Sequence, residues 1–277
     1  MTTATDSLPA PLAQAYERIQ AEMLDFGDLV VAFSGGVDSS VVAALAHRAL
    51  GDDAVAVTAV SETLPDRELE EADEVAREIG IRHERMSFSE LEDADFRENT
   101  PDRCFFCQSM RFDQLEQIAR ALGCETLASG TNASDRGEHR PGLRAMDERD
   151  VYQPLLAHEI DKQGVRRMAR ALNLSVWDKP AKACLSSRIP HGRRVTEQRL
   201  RRIERAEDIL YDRDFRQVRV RAHAGTARIE VAPDELADLL DGDQLRAIAA
   251  RIQETGFDDV TVDLQGYRTG SVSADPA

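Results

Sequence analysis

The chain has 277 residues, 42% of them hydrophobic and 31% charged, with 51 acidic against 35 basic residues and a formal net charge of −16. That length supports one large domain or two modest ones with a real core. The acidity excludes a general nucleic-acid coat, no apolar run reaches the ~18–20 residues of a membrane span, and four cysteines are too few for a disulfide scaffold of this size. The only lysines are Lys162, Lys179 and Lys182, and arginine carries the rest of the positive charge. Acidity with scarce lysine fits a surface adapted to concentrated salt, so the charge reads as a solvation property. The first ten residues hold neither the basic region nor the apolar core of a secretory leader, and a cytoplasmic location is expected.

After a frayed tail over residues 1–11, Leu12, Tyr16, Ile19 and Met23 recur at helical spacing. The apolar run 29–33 reads as a buried strand ending in Ser34-Gly35-Gly36, and residues 41–50 as a helix stopped by Gly51. Further strands are expected at 54–60, 82–88 and 125–129, with helices at 65–79 and 107–122, each helix followed by a glycine. Strands alternating with helices in this way predict an α/β fold with a doubly wound parallel sheet over residues 1–194. From residue 195 the order changes. A long Arg/Glu-rich helix at 196–212, strands at 217–221, 226–231 and 259–264, and helices after Pro233 and Asp243 predict a smaller α+β domain over 195–277, with a disordered tail after Gly266.

Ser34-Gly35-Gly36-Val37-Asp38-Ser39-Ser40 follows a strand and opens a helix. Two glycines let the backbone approach a phosphate, and the amides at the helix start point into one concavity with positive potential. Ser34, Ser39 and Ser40 can donate hydroxyls, and Asp38 can hold a Mg²⁺ that bridges phosphates. With no lysine, the loop is unlike that of kinases and GTPases. The plain alternative is a Gly-rich turn without ligand.

Cys104 and Cys107 form a C-x-x-C pair, which serves redox, zinc or iron–sulfur chemistry. Cys124 reads as a small buried apolar residue. Cys184 lies between Lys179, Lys182 and Arg188 in a lysine-poor chain, and positive neighbours favour the nucleophilic thiolate. Ten arginines and six acids lie between Gly192 and His223, a local excess of four positive charges. Arg199 to Arg205 read as a solvated helix laced with ion pairs. Arg219 and Arg221 alternate with Val218 and Val220 on a strand and share one face, where two guanidiniums make a phosphate clamp.

SGGVDSS, RCFFCQ and KPAKACLSSRIPHG, together with Gly130-Thr131-Asn132-Ala133-Ser134-Asp135 and Arg140-Pro141-Gly142-Leu143-Arg144, resemble the LarE-type sulfur transferases of the ATP-pyrophosphatase (PP-loop) superfamily over roughly residues 29–264. The resemblance implies ATP-dependent adenylation of a carboxylate of pyridinium-3,5-biscarboxylic acid mononucleotide, then displacement of AMP by sulfur, as a step in making the nickel-pincer cofactor. It implies nucleotide contacts from Ser34, Gly35, Gly36, Val37, Asp38, Ser39, Ser40, Asn132, Asp135 and Lys179, with Cys184 and Asp38 catalytic. Arg219, Arg221, Arg188 and Glu230 would take the substrate phosphate. Two sulfur sources occur in such enzymes: a sacrificial cysteine at the position of Cys184, or a three-cysteine 4Fe-4S cluster whose open iron carries sulfide. Cys104, Cys107 and Cys184 favour the cluster. The cofactors are then ATP, Mg²⁺ and the 4Fe-4S cluster, and the partner is a small-molecule nucleotide. A homo-oligomer, dimer to hexamer, is expected, with neither membrane nor nucleic acid as partner.

A tRNA 2-thiolation enzyme shares the loop and cysteines, but the net charge and the lack of an aromatic RNA platform count against it. A GMP- or NAD-type amidating synthetase would need no cysteines in its site. A non-catalytic zinc or nucleotide-sensing protein would bind ATP without releasing pyrophosphate.

Overall fold

Strand β1, Leu29–Ala32, divides its side chains between two cores. Leu29 and Val31 enter one apolar cluster while Val30 enters the other, and in β2, Ala54–Val60, Ala54 and Ala56 part from Val55 and Val57 in the same way. Successive strand residues face opposite sides, so a strand apolar at every position must be covered on both. The computed structural model of the protein describes residues 4–135, 144–146 and 148–268. Residues 140–143 of the family-like segment and the end of the expected tail, 269–277, lie outside the described residues.

The first sheet is parallel in the order β3-β2-β1-β4, with β3 at Arg82–Ser87 and β4 at Leu127–Ala128. Helices α1 (Ala10–Phe26), α2 (Val37–Leu50) and α3 (Asp66–Ile79) supply buried residues to the cluster of Leu29 and Val31. A short α4, Ala94–Glu98, precedes α5, Arg103–Leu122, whose Phe112, Leu115 and Ala119 pack with Val30, Val55 and Val57. This is the doubly wound α/β architecture expected from the pattern.

Several boundaries differ from expectation. Helix α2 begins at Val37 rather than residue 41, so the loop's own residues form its first turn. Helix α5 begins at Arg103 rather than residue 107, which puts both Cys104 and Cys107 on it. The strand expected at 125–129 shortens to two residues. After a one-turn α6, Pro154–Ala157, helix α7 at Lys162–Ala171 has no counterpart in the expected elements. Asp161 caps it, accepting from the Gly164 amide at 2.7 Å, and Val165, Met168 and Ala169 are its buried stripe.

The second sheet has the order β5-β6-β7, from Val218–His223, Thr226–Val231 and Asp259–Val262. Its first pair is antiparallel and its second parallel. Helix α8, Glu197–Tyr211, packs on β5, and Thr196 caps it through the Arg199 amide. Helices α9, Leu236–Leu239, and α10, Gly242–Glu254, lie between β6 and β7 in the chain.

The chain groups into two compact units: residues 1–61, 66–88 and 104–181, and residues 62–65, 89–103 and 182–277. The change of element order at 194/195 does not reveal that residues 182–194 join the second unit. Backbone bonds from Leu185 N to Thr63 O, Gly192 N to Asn99 O and Val195 N to Arg97 O knit those stretches together inside it.

Candidate active site

In the first unit the loop is shaped by its own residues. Gly35 has φ +63°, and a Cβ there would lie 2.7 Å from the Ala72 Cα, so only glycine fits. Ser39 Oγ donates to Gly36 O at 3.2 Å and accepts from the Ser34 amide at 3.2 Å, and the Ser34 and Ser39 hydroxyls lie 3.1 Å apart. Ser40 is fully buried, and among the described residues its hydroxyl has no partner. Val37 begins α2, leaving the first-turn amides of a 14-residue helix open toward the loop.

Around the loop the fold gathers residues from distant positions. Asn132 Nδ2 donates to Asp38 Oδ1 at 3.1 Å, and Lys162 Nζ pairs with Asp38 Oδ2. Lys179 Nζ donates to Gly35 O at 3.0 Å and pairs with Glu71 Oε2 at 2.7 Å. Asp135 accepts from the Asn132 amide at 3.1 Å, which sets the Asn132 turn. Gly130 allows the close approach, since a Cβ there would meet the Ser39 amide nitrogen at 2.7 Å. Asn132, Asp135 and Lys179 thus stand around the loop together with Lys162 and Glu71, two residues the motif reading missed. Their signal was available: one of three lysines directly follows Asp161, the cap of an unread helix.

The C-x-x-C pair lies within the first two turns of α5 at positions i and i+3, on one helix face. Cys104 is exposed and Cys107 buried, and Arg111 Nη2 donates to Cys107 Sγ at 3.6 Å. Cys124 sits in the core beside Leu127, where burial, with Asp28 adding to it, pushes its thiol up. Among the described residues no group of three or more His, Cys, Asp and Glu side chains forms a metal site.

In the second unit, Cys184 is half-buried, with its Sγ 3.1 Å from Ser186 Oγ. Arg188 is fully buried. Its Nε and Nη2 donate to Glu207 at 2.8 Å each, and its Nη1 donates to the carbonyls of Ala183 and Cys184, the latter at 2.9 Å. Burial opposes the charge, but Glu207 holds the guanidinium well above its ordinary pKa. Arg188, expected on a substrate phosphate, is therefore committed to Glu207 and the Cys184 backbone. Sequence offered no warning, because its carboxylate partner lies 19 positions away.

Arg219 and Arg221 do share a face of β5, yet both faces are covered, and the two arginines are 1% and 4% exposed. Arg221 pairs with Glu230 at 3.0 Å and donates to Ser187 O at 2.9 Å. Arg219 lies over the Tyr267 ring at 5.1 Å, and burial, then the nearby Arg188, pushes its pKa down. The expected lysine flanks of Cys184 also resolve differently: Lys179 serves Gly35 and Glu71, and Lys182 lies 5.7 Å over the Tyr211 ring.

The asparagine synthase family profile matches residues 16–124. An uncharacterised protein of Synechocystis is 41% identical over 90% of this chain and 94% of its own length. Pyridinium-3,5-bisthiocarboxylic acid mononucleotide synthase of Lactiplantibacillus plantarum is 34% identical over 95% of each chain. A tRNA-specific 2-thiouridylase of Caulobacter is 30% identical over 61% of this chain and 50% of its own length. Among the described residues no helix is long and apolar enough to cross a membrane. With a PP-loop on a parallel sheet and a near full-length match to a curated synthase of this type, the chain belongs to the LarE-type family of PP-loop ATP-dependent sulfurtransferases.

Proposed function

We propose that this enzyme converts a carboxylate of pyridinium-3,5-biscarboxylic acid mononucleotide to a thiocarboxylate at the cost of ATP. The observation that carries the reading is the loop Ser34–Ser40 with Asp38 bracketed by Lys162 and Asn132. The amides of Gly36 and Val37 and the start of α2 face the β- and γ-phosphates. A substrate carboxylate oxygen attacks the α-phosphorus, and pyrophosphate leaves with the bond electrons. Lys162 and Lys179 offset the charge that builds on the departing phosphates. A sulfur nucleophile then adds to the acyl carbon and AMP departs, leaving sulfur in place of one oxygen.

Mg²⁺ suits Asp38. This ion favours one or two carboxylates plus substrate phosphates, and each Asp38 oxygen, accepting one bond, keeps a lone pair. Cys104, Cys107 and Cys184 match a 4Fe-4S cluster in number and softness, and when bound it would supply an open iron for exogenous sulfide. Arg219, with Arg221 and Glu230 beside it, is the proposed anchor for the substrate phosphate. A cytoplasmic homo-oligomer completes the reading.

The test is the anaerobic reaction of the chain with ATP, Mg²⁺, sulfide and the biscarboxylate nucleotide, followed by mass spectrometry. Thiocarboxylate with stoichiometric AMP supports the proposal. Unchanged nucleotide, alongside thiolation of tRNA by the same preparation, overturns it. Dehydroalanine at Cys184 after turnover would assign the sulfur to the cysteine and remove the cluster.

A further inference from the structure

Buried guanidiniums hold the backbone around Cys184. Arg188 takes the carbonyls of Ala183 and Cys184, Arg103 Nη1 takes Ser186 O at 2.9 Å, and Arg221 takes Ser187 O at 2.9 Å. All three arginines are at most 5% exposed. The carbonyls of Cys184 and Ser186 also accept local turn bonds from Ser187 N at 2.9 Å and Ile189 N at 3.1 Å, so there the buried guanidiniums add a second hold to a backbone that is already satisfied. A buried ion pair gives little net stability over an apolar pair of the same volume, so fixing one geometry is its better-attested use.

Glu207 is the keystone of the arrangement. Its two oxygens grip Arg188, and Oε1 also accepts from the Val220 amide at 2.9 Å. Val220 stands on β5 between Arg219 and Arg221, the proposed phosphate anchor. One buried carboxylate therefore fixes the cysteine segment and the anchor strand to each other, both within the second unit.

We propose that Arg188, locked by Glu207, is a positioning residue for Cys184 that sets the thiol's place against the strand carrying the substrate-phosphate arginines. The inference rests on the sulfurtransferase reading for its purpose, though not for its geometry. Arg188 holds the peptide carbonyls on either side of the cysteine and leaves the chemistry to the sulfur. Losing its fork should let adenylation proceed while sulfur transfer falters.

The test compares the full-length wild type with Arg188→Lys, Arg188→Gln and Glu207→Gln, purified anaerobically. Two readouts are taken: the single-turnover rates of pyrophosphate release and of thiolated-product formation, whose ratio is the coupling, and the iodoacetamide alkylation rate of Cys184 by peptide mass spectrometry, with buried Cys124 as internal reference. Misplacing a reacting group by about 1 Å costs about 100-fold. Arg188→Lys, which keeps the charge but not the fork, is expected to release pyrophosphate in a single turnover within about threefold of the wild-type rate while thiolated product forms about 10- to 100-fold more slowly. Its Cys184 alkylation rate should change several-fold with Cys124 unmoved. Glu207→Gln should change the same two readouts in the same direction, which covers the case of an Arg188 variant that fails to melt cooperatively. Wild-type coupling together with wild-type alkylation in the folded variants overturns the proposal. A wild type that makes no thiocarboxylate at all defeats the sulfurtransferase substrate, and the alkylation arm still decides the positioning role.

Discussion

The phosphate loop and the cysteine segment solve opposite problems with the same chemistry. At Gly35–Val37 the proposed phosphate site rests on backbone N–H groups, that of Gly36 held by Ser34 Oγ at 3.4 Å, and the nearby lysines are tied to Asp38, Glu71 and Gly35 O. At Ala183–Ser187 it is the carbonyls that are taken up, by three arginines sealed from water. The loop needs cations that can re-pair when a phosphate arrives, and partly buried lysine, a compact charge on a flexible stem, suits that. The cysteine segment needs a fixed frame, and the rigid planar fork of buried arginine suits that.

The sharpest way to break this contrast is Cys184→Ala. It should abolish thiolated product and the AMP release that accompanies it, while a single turnover of pyrophosphate release persists, the three measured side by side. An amidating enzyme would be indifferent to the change. Gly35→Ala should strike the other half. With a left-handed φ and Ala72 in the way, the loop must shift, and pyrophosphate release should fall about 100-fold or more. Lys162→Ala should lower kcat for pyrophosphate release about 100-fold, with the melting temperature little changed, because a preorganised charge is lost at the leaving group. Glu230→Gln leaves Arg221 buried without its anion, so the second unit should lose about 3–5 kcal/mol in denaturant unfolding.

The smallest effect concerns His83. It bonds Thr58 Oγ1 at 2.8 Å, contacts Asp73 at 3.1 Å, and lies against the Phe33 ring just before the loop. Burial holds its pKa below the ordinary 6.5, with Asp73 opposing. The unfolded chain therefore binds the proton more readily, so stability is full above 6.5 and declines as pH falls toward the lower folded value. Melting at about pH 7.5 and 5.5 should show a loss of about 1 kcal/mol or less that His83→Gln lacks.

Much of the fold was legible in the residues themselves. The run 29–33 is apolar at every position and 54–60 at all but Thr58, a pattern that fits strands covered on both faces. Helix α7 was not read, because its apolar stripe of Val165, Met168 and Ala169 is diluted by arginines. The motifs located the loop and the cysteines but misjudged the cations near them. Sequence proximity set Lys179 beside Cys184 while the family resemblance set it among the nucleotide contacts, and its ammonium reaches a loop carbonyl 144 positions away.

By itself, then, the sequence determined the parallel sheet, the glycine-bearing turn at the C-terminal end of β1 and the residue types available for sulfur chemistry. These depend on periodicity and on backbone conformations that few residues tolerate, and both are local. Only the tertiary structure decided which cation meets which anion: Lys162 with Asp38, Arg188 with Glu207, and Arg221 with Glu230. Period-two alternation tells which face of β5 an arginine occupies. Whether that face meets solvent, a phosphate or a buried carboxylate depends on what else packs there, because long side chains pair across any sequence separation once folding excludes the water that would otherwise solvate them.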